Sequence, residues 1–176
     1  MHAPVGAQAD AVNARASRVS RDGVAYFEIH ASGFVRATPK QAWRVLTDYE
    51  RLAEFVPDLV SSRLLSRTKR EAIVEQQSRA GFLFVTQDIH MVVRIGEQPY
   101  STIDVTLVEG DMKHYRAHWE LQPFAQNGVD GTLITFSGAL EPEFFIPPLL
   151  GRPIVQANVR KMVQAVVAEI ERRSAH

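Results

Sequence analysis

Cysteine is absent from all 176 residues of the sequence. Its absence removes disulfides, thiolate zinc sites, iron–sulfur clusters and cysteine nucleophiles together, and leaves the redox compartment open. An excess of charge is also lacking, since 20 Lys and Arg balance 20 Asp and Glu. With no long-range field, nothing draws the chain to nucleic acid or to an anionic membrane. No apolar run approaches the ~18 residues that a membrane span requires. The common catalytic signatures are missing too: there is no G-x-S-x-G, H-E-x-x-H, Walker loop or G-x-G-x-x-G. Dinucleotide, triphosphate and metalloprotease chemistry therefore have no support. The composition predicts a soluble globular protein of one domain.

Residues 1–22 differ from the rest, being rich in Ala, Arg, Ser and Gln and poor in large apolar groups. That stretch is too poor in apolar surface to offset its ordering entropy. The expectation is a disordered tail, or the remnant of a processed leader around Ala3-Pro4-Val5-Gly6-Ala7, before a domain at 23–176. Both a cytoplasmic and a periplasmic location stay open.

Imperfect alternation from Val24 to Ala37 predicts a first strand. Thr38-Pro39-Lys40-Gln41 then supplies an N-cap, a first-turn proline and a capping-box partner for a short helix carrying Ala42, Trp43, Val45 and Leu46. Tyr49–Phe55 predicts a second short helix, ended by Val56-Pro57. Six strands follow at 59–66, 70–79, 82–95, 101–109, 113–121 and 132–140, separated by turn residues such as Gly96-Glu97-Gln98-Pro99 and Asn127-Gly128. Short turns between consecutive strands imply an antiparallel meander. Leu83, Val85, Ile89, Met91, Val93 and Ile95 share one parity, so the sheet has an apolar face that needs a cover. The cover is at the C-terminus, where Ile154, Val155, Val159, Met162, Val163, Val166, Val167 and Ile170 recur at helical spacing. About 23 residues there make a helix of about 34 Å. The predicted class is α+β: a helix-grip fold with a seven-stranded curved antiparallel sheet wrapped around a long C-terminal helix.

At this point the sequence resembles the START-like superfamily, in its polyketide cyclase/dehydrase and lipid-transport branch, near the coenzyme Q-binding START-domain proteins. The resemblance spans about 24–173. Its strongest segment runs from Ala37-Thr38-Pro39 through Trp43, Leu46, Asp48 and Tyr49, followed by Phe55-Val56-Pro57. Tyr115 and Trp119 on a late strand, and Pro147-Pro148 before the long helix, match as well. The resemblance implies a hydrophobic cavity between sheet and helix. It implies no particular chemistry, because relatives include carriers, sensors and cyclases.

Three functions stay in view. The leading one is binding, and carriage or presentation, of a lipid, isoprenoid quinone or polyketide-like molecule. A second is an aromatase/cyclase or dehydratase working in the same cavity. A third is a domain with a filled core that acts through a protein partner. Polar groups on inward parity are candidate ligand contacts, namely Gln76, Gln87, Tyr115 and Trp119. The competing reading is that each bonds a neighbouring backbone group or water. Met91 and Met162 are apolar wall candidates. Phe144, Phe145 and Ile146, in the proline-rich connection at 142–150, either pack under the helix or line a mouth that touches lipid. Tyr49, Leu52 and Phe55 would form the opposing lip. His114 and His118 would stand ~13 Å apart along a strand, too far to share an ion, and face solvent with His90. No metal, cofactor or nucleic acid is expected, no catalytic residue is identified, and the oligomeric state stays open. The basic run Arg63, Arg67, Lys69 and Arg70 reads as a solvated hairpin edge.

Overall fold

The computed structural model describes residues 12–82, 85–144, 146 and 148–175. The elements in order are β1 (Asn13–Arg21), β2 (Val24–Val35), α1 (Pro39–Leu46), a 3-10 helix (Tyr49–Glu54), then β3 (Leu59–Arg67) and β4 (Glu71–Phe82). Next come β5 (Val85–Gln98), β6 (Thr102–Gly110), β7 (Met112–Gln126), β8 (Val129–Pro142) and α2 (Pro148–Ser174). The strands form one antiparallel sheet in the order β1-β2-β8-β7-β6-β5-β4-β3. Consecutive strands are neighbours except β2 and β3; β2 pairs instead with β8, where the two ends of the chain meet. The family of folds expected from the sequence is the one observed, with eight strands instead of seven.

The extra strand is β1, which overturns the expectation of a disordered tail for residues 13–21. It pairs with β2 from Asn13↔Ser32 to Arg21↔Val24. Asp22 and Gly23 join them with φ of 52° and 79°, the mirror-image two-residue turn that Asp-Gly favours. Small residues do the packing: Ala16 is 2% exposed, and Val12 just ahead of the strand is 6% exposed. The Ala16 N–H donates to Gln156 Oε1 of α2 at 3.1 Å, so the helix satisfies part of this edge. Residues 1–11 lie outside the described ones.

At α1 the capping box forms as expected. Gln41 N–H donates to Thr38 Oγ1 (3.1 Å), and Gln41 Oε1 accepts from Thr38 N–H (2.8 Å). Trp43 is buried and meets Tyr100 edge to face, with ring centroids 5.9 Å apart. The second short helix is of the 3-10 type and stops at Glu54.

The long helix α2 makes its closest backbone approach to β1, β2 and α1. Gly33 permits this, because a Cβ there would sit 3.2 Å from Val12 Cγ2 and 3.3 Å from Val167 Cγ2. The buried side chains Val155, Val159, Val163, Val166, Val167 and Ile170 form the face turned to the sheet. Its C-terminal turn is tied down by Arg173, which donates to Asp48 Oδ2 at 3.0 Å and lies 5.6 Å from the Phe55 ring centroid. No helix among the described residues is long and apolar enough to cross a membrane.

Candidate ligand cavity on the inner face of the sheet

Alternate residues of each strand point to the helix side, and the register aligns them into rows. Gln76, Val74 and Ala72 of β4 face Met91, Val93 and Ile95 of β5. Val93 and Ile95 face Leu107 and Val105 of β6. On β7, Tyr115, Ala117, Trp119 and Leu121 face Leu140, Gly138, Phe136 and Ile134 of β8.

These rows are not equally filled. Val35, Thr132 and Ile134 are closed completely beneath α1 and the second half of α2. Leu64, Ile89, Val105, Leu107, Tyr115 and Trp119 are only partly buried although they join the same apolar cluster. Phe144, Ile146 and Met162 share that state where the chain enters and follows α2.

Tyr115 shows what the partial exposure means. Burial raises its phenol above the usual tyrosine range, so the ring lies deep in the protein. Its side chain is nonetheless half-buried, and its hydroxyl has no hydrogen-bond partner among the described residues. The ring is therefore desolvated while part of the side chain stays accessible. Trp119 stacks edge to face on Phe136 at 4.8 Å between centroids, and its indole N–H is likewise without a described partner. The Gln76 amide, across from Met91, is in the same condition.

Other expected contacts fall elsewhere. Gln87 lies toward the tip of β5, where its amide donates to the Asp88 carbonyl at 3.1 Å, so the local bond applies there. Phe145 lies outside the described residues. The three strand histidines face outward and pair with carboxylates: His90 with Glu75 (3.0 Å), His118 with Asp104 (2.6 Å) and His114 with Glu141 (3.6 Å). Among the described residues no three His, Cys, Asp or Glu gather as a metal site.

Two inner-face groups escaped the sequence reading. Glu97 was placed in a turn, but β5 continues through it and buries it to 4% exposure. Arg67, expected on a solvated edge, donates to both Glu97 oxygens at 3.1 and 2.7 Å. The Tyr49 hydroxyl donates to Glu97 Oε2 at 2.5 Å, and burial followed by Glu97 pushes that phenol far above its usual range. Glu97 continues the parity of Val93 and Ile95, which is the signal that could have found it. Ser62, opposite Gln76, is the second; its Oγ is buried without a partner.

A curved antiparallel sheet gripping one long C-terminal helix, with a partly open apolar inner face, defines a START-type helix-grip domain. The sequence matches the family model described as polyketide cyclase / dehydrase and lipid transport over residues 35–167, and the chain belongs to that family. Similar solved structures include a START superfamily protein from Mycobacterium smegmatis, with 14% identity and a TM-score of 0.69, covering 83% of this chain and 98% of that one. A STAR-related lipid transfer protein from Xanthomonas axonopodis has 17% identity and a TM-score of 0.68, covering 88% and 98%. The Zhui aromatase/cyclase from Streptomyces sp. R1128 has 18% identity and a TM-score of 0.66, covering 83% and 94%. At these identities the likeness is one of fold. No curated protein matches the chain.

Proposed function

We propose that the protein binds a neutral, oxygen-bearing apolar molecule, of the lipid, isoprenoid quinone or polyketide type, between the inner face and α2. The observation that carries this reading is Tyr115, deep in the fold yet part-exposed and unpartnered. Its accessible hydroxyl, with no partner among the described residues, would donate to a ligand oxygen beside the apolar body of the ring. Trp119 and Gln76 would add a donor and an amide, with Met91 and Met162 as adaptable apolar wall. Arg67, the cation that reaches the inner face at Glu97, is held by that carboxylate and is not free for a fatty-acid carboxylate. That favours a neutral ligand.

A cyclisation or dehydration in the same space is the second reading, supported by the likeness to the Streptomyces aromatase/cyclase. Against it stands the inner wall itself. Its carboxylate, Glu97, is fully engaged and is no free general base. Binding without chemistry is therefore preferred. The start of α2 supports transient contact with a lipid surface, because Leu149 is 90% and Leu150 40% exposed beside Ile146.

Mass spectrometry of an organic extract of the purified protein tests the reading. A stoichiometric neutral apolar compound is expected. A clean extract, together with no saturable uptake of an apolar fluorescent dye, would show a filled core and favour action through a protein partner.

A further inference from the structure

The opposite face of the sheet carries a feature that the inner cavity does not explain. A groove of about 590 Å³ opens on the outer face across β1, β2, β8, β7 and β6. Its shape follows from side-chain size. Ser137 and Ala139 of β8 form a low floor, while β2 raises Glu28 and His30 on one side and β7 raises Arg116 and His118 on the other.

The register sets one continuous polar row across five strands: Arg15, His30, Ser137, His118 and Asp104. A second row runs through Ser17, Glu28, Ala139, Arg116 and Thr106. Both acids of these rows are already used. Asp104 is held by His118 at 2.6 Å, and Glu28 by Arg21 at 3.0 Å. Arg15 and Arg116 have no carboxylate partner among the described residues. The groove thus holds two exposed guanidinium groups outside any ion pair among the described residues, alongside Glu28, Asp104 and the hydroxyls of Ser17, Ser137 and Thr106.

We propose that this outer groove is a second ligand site, for a small soluble molecule with two oxyanion groups. Guanidinium binds phosphate and carboxylate through paired N–H donors, and neither arginine is engaged in an ion pair among the described residues. Arg15 and Arg116 stand three strand steps apart and two residues out of register, roughly 16 Å between backbones, on opposite sides of the groove. Two such side chains on opposite sides of one groove suit two separated anionic groups on one molecule better than a single ion. The volume is that of a small-molecule site. The site is independent of the inner cavity, from which the sheet separates it.

Isothermal titration of the full chain with pyrophosphate and with glutarate tests the proposal, with acetate as the single-charge control. Saturable binding of at least one dianion is expected, weakened about tenfold or more in Arg15→Gln and in Arg116→Gln. The tighter of the two probes assigns phosphate or carboxylate as the preferred group. Arg160→Gln, on the exposed side of α2, should bind as the wild type does. Circular dichroism melts of the variants establish that they remain folded. The proposal is overturned if neither dianion binds at millimolar concentration, if both Arg variants bind like the wild type, or if acetate binds as tightly.

Discussion

The two ends of the sheet's inner face are built from the same residue types, but only one of them carries partly open aromatic and leucine side chains among its closed ones. Where β2 and β8 meet α1 and the second half of α2, Val35, Ile134, Val163 and Ile170 are wholly closed. Across β4 to β7 the closed Val74, Val93 and Ile95 stand beside Leu107, Tyr115 and Trp119, which remain partly open although they too are large and apolar. The difference comes from where the helix can approach. Gly33 and Ala31 on β2 bring α2 close, while the strands beyond curve away carrying larger side chains. One end spends its apolar surface on stability, and under the function proposed above the other keeps part of it for a ligand. Substitutions at the closed end should therefore cost stability and leave little binding signature, whereas those at the open end should do the reverse.

The largest expected effect is at the closed end. Trp43→Ala should destabilise by ~3–5 kcal/mol in chemical denaturation, as large core aromatics do. A wild-type midpoint would show that this end is not the closed core.

Next comes the buried acid on the border between the two ends. Arg67→Ala leaves the Glu97 carboxylate buried with only Tyr49 beside it, and should cost about 3 kcal/mol. Arg67→Ala combined with Glu97→Gln should recover part of that loss, since the charge is removed with its partner. If the single variant melts like the wild type, Glu97 is more hydrated than its burial indicates.

Removing residues 1–21 deletes β1 with the burial of Val12 and Ala16, and uncovers the β2 edge. A loss of about 2 kcal/mol is expected, read as several degrees in melting temperature. An unchanged melt would place β1 outside the cooperative unit.

At the open end the sign reverses. Tyr115→Phe should leave stability within about 1 kcal/mol, because the hydroxyl has no protein partner to lose. It should weaken binding of the co-purified ligand by about five- to tenfold, measured by displacement of a fluorescent probe. Equal binding would remove the phenol from the site.

The smallest effect is electrostatic. Arg172, then Arg173, hold the Glu169 carboxyl at about 2, below the ordinary carboxylate value of 4.5. A depressed folded value contributes stability above the unfolded pKa, and that contribution fades as pH falls toward 2. Glu169→Gln should flatten the acid limb of the melting-temperature profile between about pH 4.5 and 2, by under about 1 kcal/mol. An identical acid limb would show the pairs to be inert.

Local chemistry explains which parts were legible beforehand. The capping box at Thr38 and Gln41, the parity of β5 and β7 and the spacing of valines on α2 are each written in a few adjacent residues. The two-residue turn at Asp22-Gly23 was equally local, yet β1 packs through alanines, and small residues give too weak a hydrophobic pattern to mark a strand. Gly96 to Pro99 carries turn-forming residues and still continues β5, because cross-strand bonds from β6 outweigh their local preference.

The sequence by itself determined the element order from β2 onward, the antiparallel meander, the covering helix and the family, since each rests on periodicity or on contiguous motifs. Only the tertiary structure decided which inner positions are closed and which open, that Arg67 turns inward to Glu97, and that Arg15 and Arg116 line one outer groove. Those facts depend on register between strands far apart in the chain and on how closely a helix can approach a curved sheet. Neither quantity is set by any local stretch of residues, because both emerge when the whole sheet has paired.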